Sequence, residues 1–168
     1  MDVIRAILDG IAIAAIFNGA VAAWVLINPR YFFESYPKAI QKSAPEQMTQ
    51  KEKKINLILI IAICGICFIY SAVSLLHTNV SGFWNLFWMG YIQWSILNLG
   101  DFFLLDCLLF QGKYKDKIVI PGTEGHPDYE FGNWMKHLAI MEHFVLTPFL
   151  IIPFVAAIQA LMVGLLGR

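Results

Sequence analysis

"INLILIIAICGICFIYSAVSLLH", residues 55–77, contains no Lys, Arg, Asp or Glu. It is long enough to cross a bilayer, which takes about 20 residues of helix. Three further apolar stretches meet the same length: residues 3–27, 84–110 and 134–166. Composition agrees with a chain built for lipid. The hydrophobic share is 58% and the charged share 14%, with a mean hydropathy of +0.63, well away from a soluble domain. The sequence therefore predicts an all-α polytopic membrane protein, residues 1–168 forming one domain of four transmembrane helices. The net charge is zero, so the chain has no excess of basic charge to displace counterions from phosphate. A nucleic-acid partner is excluded, and the expected partners are the lipid bilayer and a small-molecule or ion ligand.

The first stretch ends in a run, "GAVAA", that resembles a signal-peptide cleavage site. Its apolar part exceeds the roughly 7 to 15 residues of a signal core, and only Arg5 precedes it as a positive charge. A retained helix is expected.

Orientation follows from lysine and arginine, which stay in cytoplasmic loops. Arg30, Lys38, Lys42, Lys51, Lys53 and Lys54 follow the first stretch, and Lys113, Lys115, Lys117 and Lys136 follow the third. Only Arg5 and Arg168 lie on the other side, and the connection "HTNVSGF" has none. Segments 28–54 and 111–133 are therefore expected in the cytoplasm and both termini outside; in a bacterium this means the cytoplasmic membrane. Trp84 and Trp88 suit the outer interface, Trp24 and Trp134 the inner one.

The first cytoplasmic segment is rich in proline and aromatics, and Tyr31, Phe32, Phe33 and Tyr36 are expected against the headgroups. Thr49 and Glu52 have the spacing of a capping box, so the second helix should begin in the cytoplasm and enter the membrane near Ile55. The second segment has a β-prone run, Ile118 to Ile120, then a Pro-Gly turn. Glu124, His126, Asp128 and Glu130 follow it.

Asp101 and Asp106 interrupt the third span. A carboxylate at mid-membrane costs roughly 2.5 to 3.5 kcal/mol, so compensation is expected. Counted from the cytoplasmic boundary, Asp106 and His137 lie about four residues deep, and Asp101 and Glu142 about nine. Asn18 and Cys64 fall at the same deeper level, with His143 beside Glu142. On an ideal α-helix Asp101 and Asp106 point about 140° apart, with Asn98 between them. Pro148 and Pro153 are placed to bend or open the last helix. A cavity lined from several sides fits these directions better than one tight ligand set.

Plainer readings exist for each residue. Asp106 can snorkel towards cytoplasmic lysines, and Asp101 can pair with His143 or Asn18 as glue between helices. Glu142 and His143 can be glue too, and His137, His126, Asp128 and Glu130 ordinary loop and cap residues. Arg5 and Asp9 form a structural i,i+4 pair. "CGIC", residues 64–67, has the spacing of a redox pair but lacks the second cysteine pair such a relay needs, so close packing is the better reading. No phosphate loop, zinc-protease helix or nucleophile elbow is present.

The run from Asn98 to about His137, "NLGDFFLLDCLL" leading into "IVIPGTEGHPDYEFG", resembles a family of small, uncharacterised bacterial membrane proteins. These have four helices, acidic residues on the third and a P-G-T-E loop after it. The resemblance covers about a quarter of the chain and implies an integral membrane protein in which Asp101, Asp106 and Glu124 merit testing.

Two functions follow as expectations. The first is a cytoplasm-facing cavity, in a binding protein or a membrane-embedded enzyme, where Asp101, Glu142 and His143 bind a divalent metal or a cationic group. Zinc, iron or manganese would suit that mixed ligand set. Asn18, Asn98 and Asp106 would line the cavity, the loop bearing Glu124 and His126 would cover it, and Glu142 or His137 would act as acid or base. The second is a small proton- or cation-coupled transporter with Asp101 as coupling residue, working as a homo-oligomer because four helices make a narrow path. A structural subunit of a membrane complex is a third reading. Between Asn98 and the outer end of the third span only Ser95, Gln93 and Asn85 are polar, which favours a one-sided site.

Overall fold

The structure, a computed structural model, describes residues 1–167. Among them every regular element is helical and none is a strand. Helix α1 is Val3–Ile27 and a short α2 is Lys38–Ser43; α3 is Gln50–Leu76, α4 is Phe83–Lys113 and α5 is Phe131–Leu166. Four of these, α1, α3, α4 and α5, are long and apolar enough to span a membrane.

Local chemistry sets their ends. Asp2 caps α1 by accepting the Arg5 backbone N–H at 3.0 Å. Thr49 and Glu52 form the reciprocal capping box expected of them, which starts α3 at Gln50. Arg30 then ties the segment after α1 to that start. Its Nε donates to Glu52 at 2.7 Å, and its terminal nitrogens donate to the carbonyls of Glu46 and Gln47. The Glu52 carboxylate beside it holds the guanidinium pKa above its ordinary value.

α4 is central, packed by α1 on one side and by the second half of α5 on the other. Small residues set the spacing, as in tightly packed membrane bundles. A Cβ on Gly10 of α1 would come within 3.1 Å of the Gln93 backbone, and one on Gly100 within 3.0 Å of the Asn18 amide. Cys67 packs with Ile13, Ala14, Ile63 and Leu97 in the same seam. All three cysteines are free thiols.

The two longer connections fold together at one end. Phe32, Phe33 and Tyr36 are buried there against Ile118, Ile120, Tyr129 and Trp134. The headgroup placement expected for these three aromatics is thereby corrected: their rings close a protein core, and Trp134, expected at an interface, is part of it. Ile118 to Ile120 is no strand: both isoleucines are buried in that core, and side chains take up the backbone, the Tyr36 hydroxyl donating to the Ile118 carbonyl at 2.8 Å and the Tyr129 hydroxyl accepting the Ile120 N–H at 2.9 Å. The Pro-Gly turn is present. Gly122 has φ +84° and a Cβ there would lie 2.5 Å from Pro45, so only glycine fits the junction of the two segments.

From Asp101 to Lys113, and again over Met135–Ala139 and Glu142–Ile151, the helices widen into π-helical turns. Proline explains part of this in α5. A π-turn bonds the N–H of residue i to the carbonyl of residue i−5, so Pro148 leaves the His143 carbonyl free and Pro153 leaves that of Pro148 free. α4 supplies both missing donors: Asn98 Nδ2 to the His143 carbonyl at 2.8 Å, and the Tyr91 hydroxyl to the Pro148 carbonyl at 3.2 Å.

Candidate functional site

The π-helical turns decide which side chains meet. With each N–H bonded five residues back, a turn takes more residues than in an α-helix, so Asp101 and Asp106 point much closer together than the α-helical angle of about 140°. Both line a partly open cavity of about 190 Å³ beneath the folded connections. α5 adds Glu142 and His143, α3 adds Cys64, and the segment after α1 adds Phe32, Ser35 and Tyr36. The remaining wall is apolar: Phe17, Val21 and Val25 from α1, Ile60 and Ile63 from α3, Leu105 and Phe110 from α4, and Trp134 and Leu138 from α5.

One hydrogen-bonded chain forms the polar wall. His143 is 4% exposed and Asp106 7%. The imidazole Nε2 lies 2.9 Å from Asp106 Oδ2, and Nδ1 lies 2.9 Å from Asn98 Oδ1. The Trp134 indole donates to Asp106 Oδ1 at 2.9 Å. Asp106, which a snorkelling reading would have sent to the surface, is thus the better buried of the two aspartates, and it pairs with His143 rather than lying level with His137. Turns that widen also climb less per residue, so depth counted at an α-helical rise misplaces the layers. Asp101 is half-buried and Glu142 stands exposed at the rim.

Other expected members lie elsewhere. His137 pairs with Asp128 at 2.9 Å and does not line the cavity. Asn18 is buried against Gly100 rather than in the cavity wall, and its side-chain amide has no hydrogen-bond partner. Glu124 and His126 do not line the cavity: Glu124 turns back to accept the Gly122 N–H at 3.0 Å, and His126 accepts the Asp128 N–H at 3.1 Å. That backbone bond holds the exposed Glu124 carboxyl below its ordinary pKa. Phe32, Ser35 and Tyr36 cover the cavity, and burial raises the Tyr36 hydroxyl's pKa well above the usual tyrosine value.

The metal expectation finds no support. Among the described residues no group of three or more His, Cys, Asp and Glu side chains is placed to hold an ion, Asp101, Glu142 and His143 included. His143 has both ring nitrogens engaged by Asn98 and Asp106, which explains why it is not free to join them.

Comparison with known proteins adds no relative. No family model matches the sequence, and neither a curated protein nor a solved structure does.

A second polar layer joins α3, α4 and α5. Gln93 of α4 and Gln159 of α5 are both fully buried and meet at Ser71 of α3. Trp94 donates to Gln159 Oε1 at 2.8 Å, and Gln159 Nε2 donates to the Phe68 carbonyl at 3.1 Å. Nearer the termini, Asp9 accepts from Ser74 and lies 3.5 Å from Arg5. Gln159 was the available signal, a lone amide in an apolar stretch of α5.

Proposed function

We propose that the chain is a multi-pass membrane protein, its folded connections facing the cytoplasm and both termini outside, and that its cavity binds a small organic cation. Four long apolar helices and the gathering of lysine and arginine in the two connections support the membrane placement. One observation carries the binding reading. The cavity wall holds three carboxyl groups, Asp101, Asp106 and Glu142, against one imidazole and no lysine or arginine.

Aromatic and aliphatic walls complete the match to an organic cation, since ring faces attract a positive group while alkyl substituents fill apolar space. Phe17, Phe32, Tyr36, Phe110 and Trp134 supply the rings. The run resembling small bacterial four-helix membrane proteins fits the same placement.

The test is calorimetric titration of detergent-purified protein with choline and with 3,3-dimethylbutan-1-ol, its uncharged carbon counterpart. Saturable binding of choline alone is the expected result. Equal binding of both, or of neither, contradicts the reading.

A transporter is the second reading, favoured by the layer of Ser71, Gln93 and Gln159 and by Asp9 with Ser74 beyond it. These place polar groups in the half of the bundle where the third span alone offered few. Uptake of labelled choline into proteoliposomes, with and without a pH gradient, separates carrier from binding protein.

A further inference from the structure

Hydrogen-bond directions around His143 leave one proton to be placed. The His143 carbonyl can only accept, so the Asn98 atom 2.8 Å from it is the amide nitrogen, and the Asn98 oxygen faces Nδ1 at 2.9 Å. Nδ1 therefore carries hydrogen. At the far end the Trp134 indole can only donate, so Asp106 Oδ1 is bare. What is left is the 2.9 Å gap between His143 Nε2 and Asp106 Oδ2. With no proton there, two lone pairs oppose each other; with two, N–H opposes O–H. A single proton satisfies both atoms.

We infer that Asp106 and His143 hold that proton as a unit and release it when a cation occupies the cavity, making the site a proton-for-cation exchanger. This rests on the cation reading above. Charge balances throughout. Before exchange the pair is neutral, either as imidazolium with carboxylate or as imidazole with carboxylic acid. The proton leaves the Nε2 to Oδ2 gap for water and the pair becomes singly negative; the bound cation restores neutrality, and its charge offsets the repulsion between the two lone pairs left facing each other. A poorly solvated site favours such an exchange because its net charge does not change.

The other titratable groups facing the cavity are Asp101 from α4, Glu142 from α5, Cys64 from α3 and Tyr36 from the covering segment; α1 presents only Phe17, Val21 and Val25. None is cationic. Asp101 and Glu142 are the rival sources of a released proton, and the test must separate them from the pair.

Tetraethylammonium has no proton of its own, so any proton released on binding comes from the protein. In weakly buffered detergent solution containing a pH indicator, the wild type is expected to release about one proton per cation bound. Asp106→Asn can keep every bond, its oxygen accepting from Trp134 and its amide donating to Nε2, so it is expected to fold and to bind more weakly without releasing a proton. Asp101→Asn is expected to bind more weakly and still to release about one proton per cation bound. Nitrogen-15 spectra of the histidines, with His143→Gln to assign the signal, should find hydrogen on Nδ1 with and without the cation.

Release that survives in Asp106→Asn, or an Nδ1 without hydrogen, overturns the assignment. Binding without release overturns the exchange but leaves the cation reading intact. Absence of binding overturns that reading and the exchange with it.

Discussion

Asp106 and Asp101 show how far a residue's role depends on its neighbours. The two carboxylates differ by five positions, yet Asp106 is fixed by Trp134 and His143 while Asp101 faces the cavity. Tyr36 has a comparable dependence on place: its hydroxyl is buried and donates to the Ile118 carbonyl. Burial raises its pKa above the ordinary value of 10.0. Below pH 10 the phenol is neutral in both folded and unfolded chains and its contribution to stability is complete. As pH rises beyond 10 the unfolded tyrosine ionises first, so stability falls until the folded group also titrates. Thermal melts from pH 9 to 11 should therefore show a steeper loss in wild type than in Tyr36→Phe. That variant is expected to be less stable by about 1 to 3 kcal/mol at neutral pH, because the Ile118 carbonyl is left unpaired. Equal slopes would mean that Tyr36 does not contribute to the alkaline loss.

Among the elements, boundaries were legible and register was not. Apolar length located the four long helices, and Thr49 with Glu52 located the start of α3, because both signals are local. The face that each polar residue presents depends on turn width, and nothing between Asp101 and Lys113 marks the change from α to π. Pro148 and Pro153 were visible as disturbances, but their outcome needed donors from another helix, Asn98 and Tyr91. Contact between α1 and α4 gives a direct check on packing. Gly10→Leu must push against the Gln93 backbone and Ile96, and is expected to destabilise the bundle by about 1 to 3 kcal/mol in denaturant titration. An unchanged midpoint would show that the two helices are not held at this distance.

Considered whole, the molecule divides into a terminal end joined by one short connection and an opposite end where the two longer ones fold over a cavity. Of the site, the sequence made legible Asp101, Asp106, Glu142, His143 and Asn98, because polar groups in apolar helices stand out. Tyr36, Phe32 and Trp134 carry no such mark, since an aromatic beside a helix end looks the same whether lipid or another loop covers it. His137 looked suitable by depth and was taken by Asp128, a partner supplied by loop geometry. Orientation is open to a direct check. In spheroplasts, single cysteines placed at Asn79 and at Glu124 in a cysteine-free background should react with an impermeant maleimide only at position 79. The reverse pattern would invert the proposed topology.

Cation binding by the carboxyl-lined cavity is the proposal from which the proton exchange follows. Its most direct test is equilibrium binding of tetraethylammonium to purified wild type and to the double variant Asp101→Asn, Glu142→Gln, whose folding is matched by thermal melt. One saturable site per chain in the wild type, weakened by about tenfold or more in the double variant, is the predicted result. Equal affinity in the two proteins, or no binding to the wild type, would contradict it.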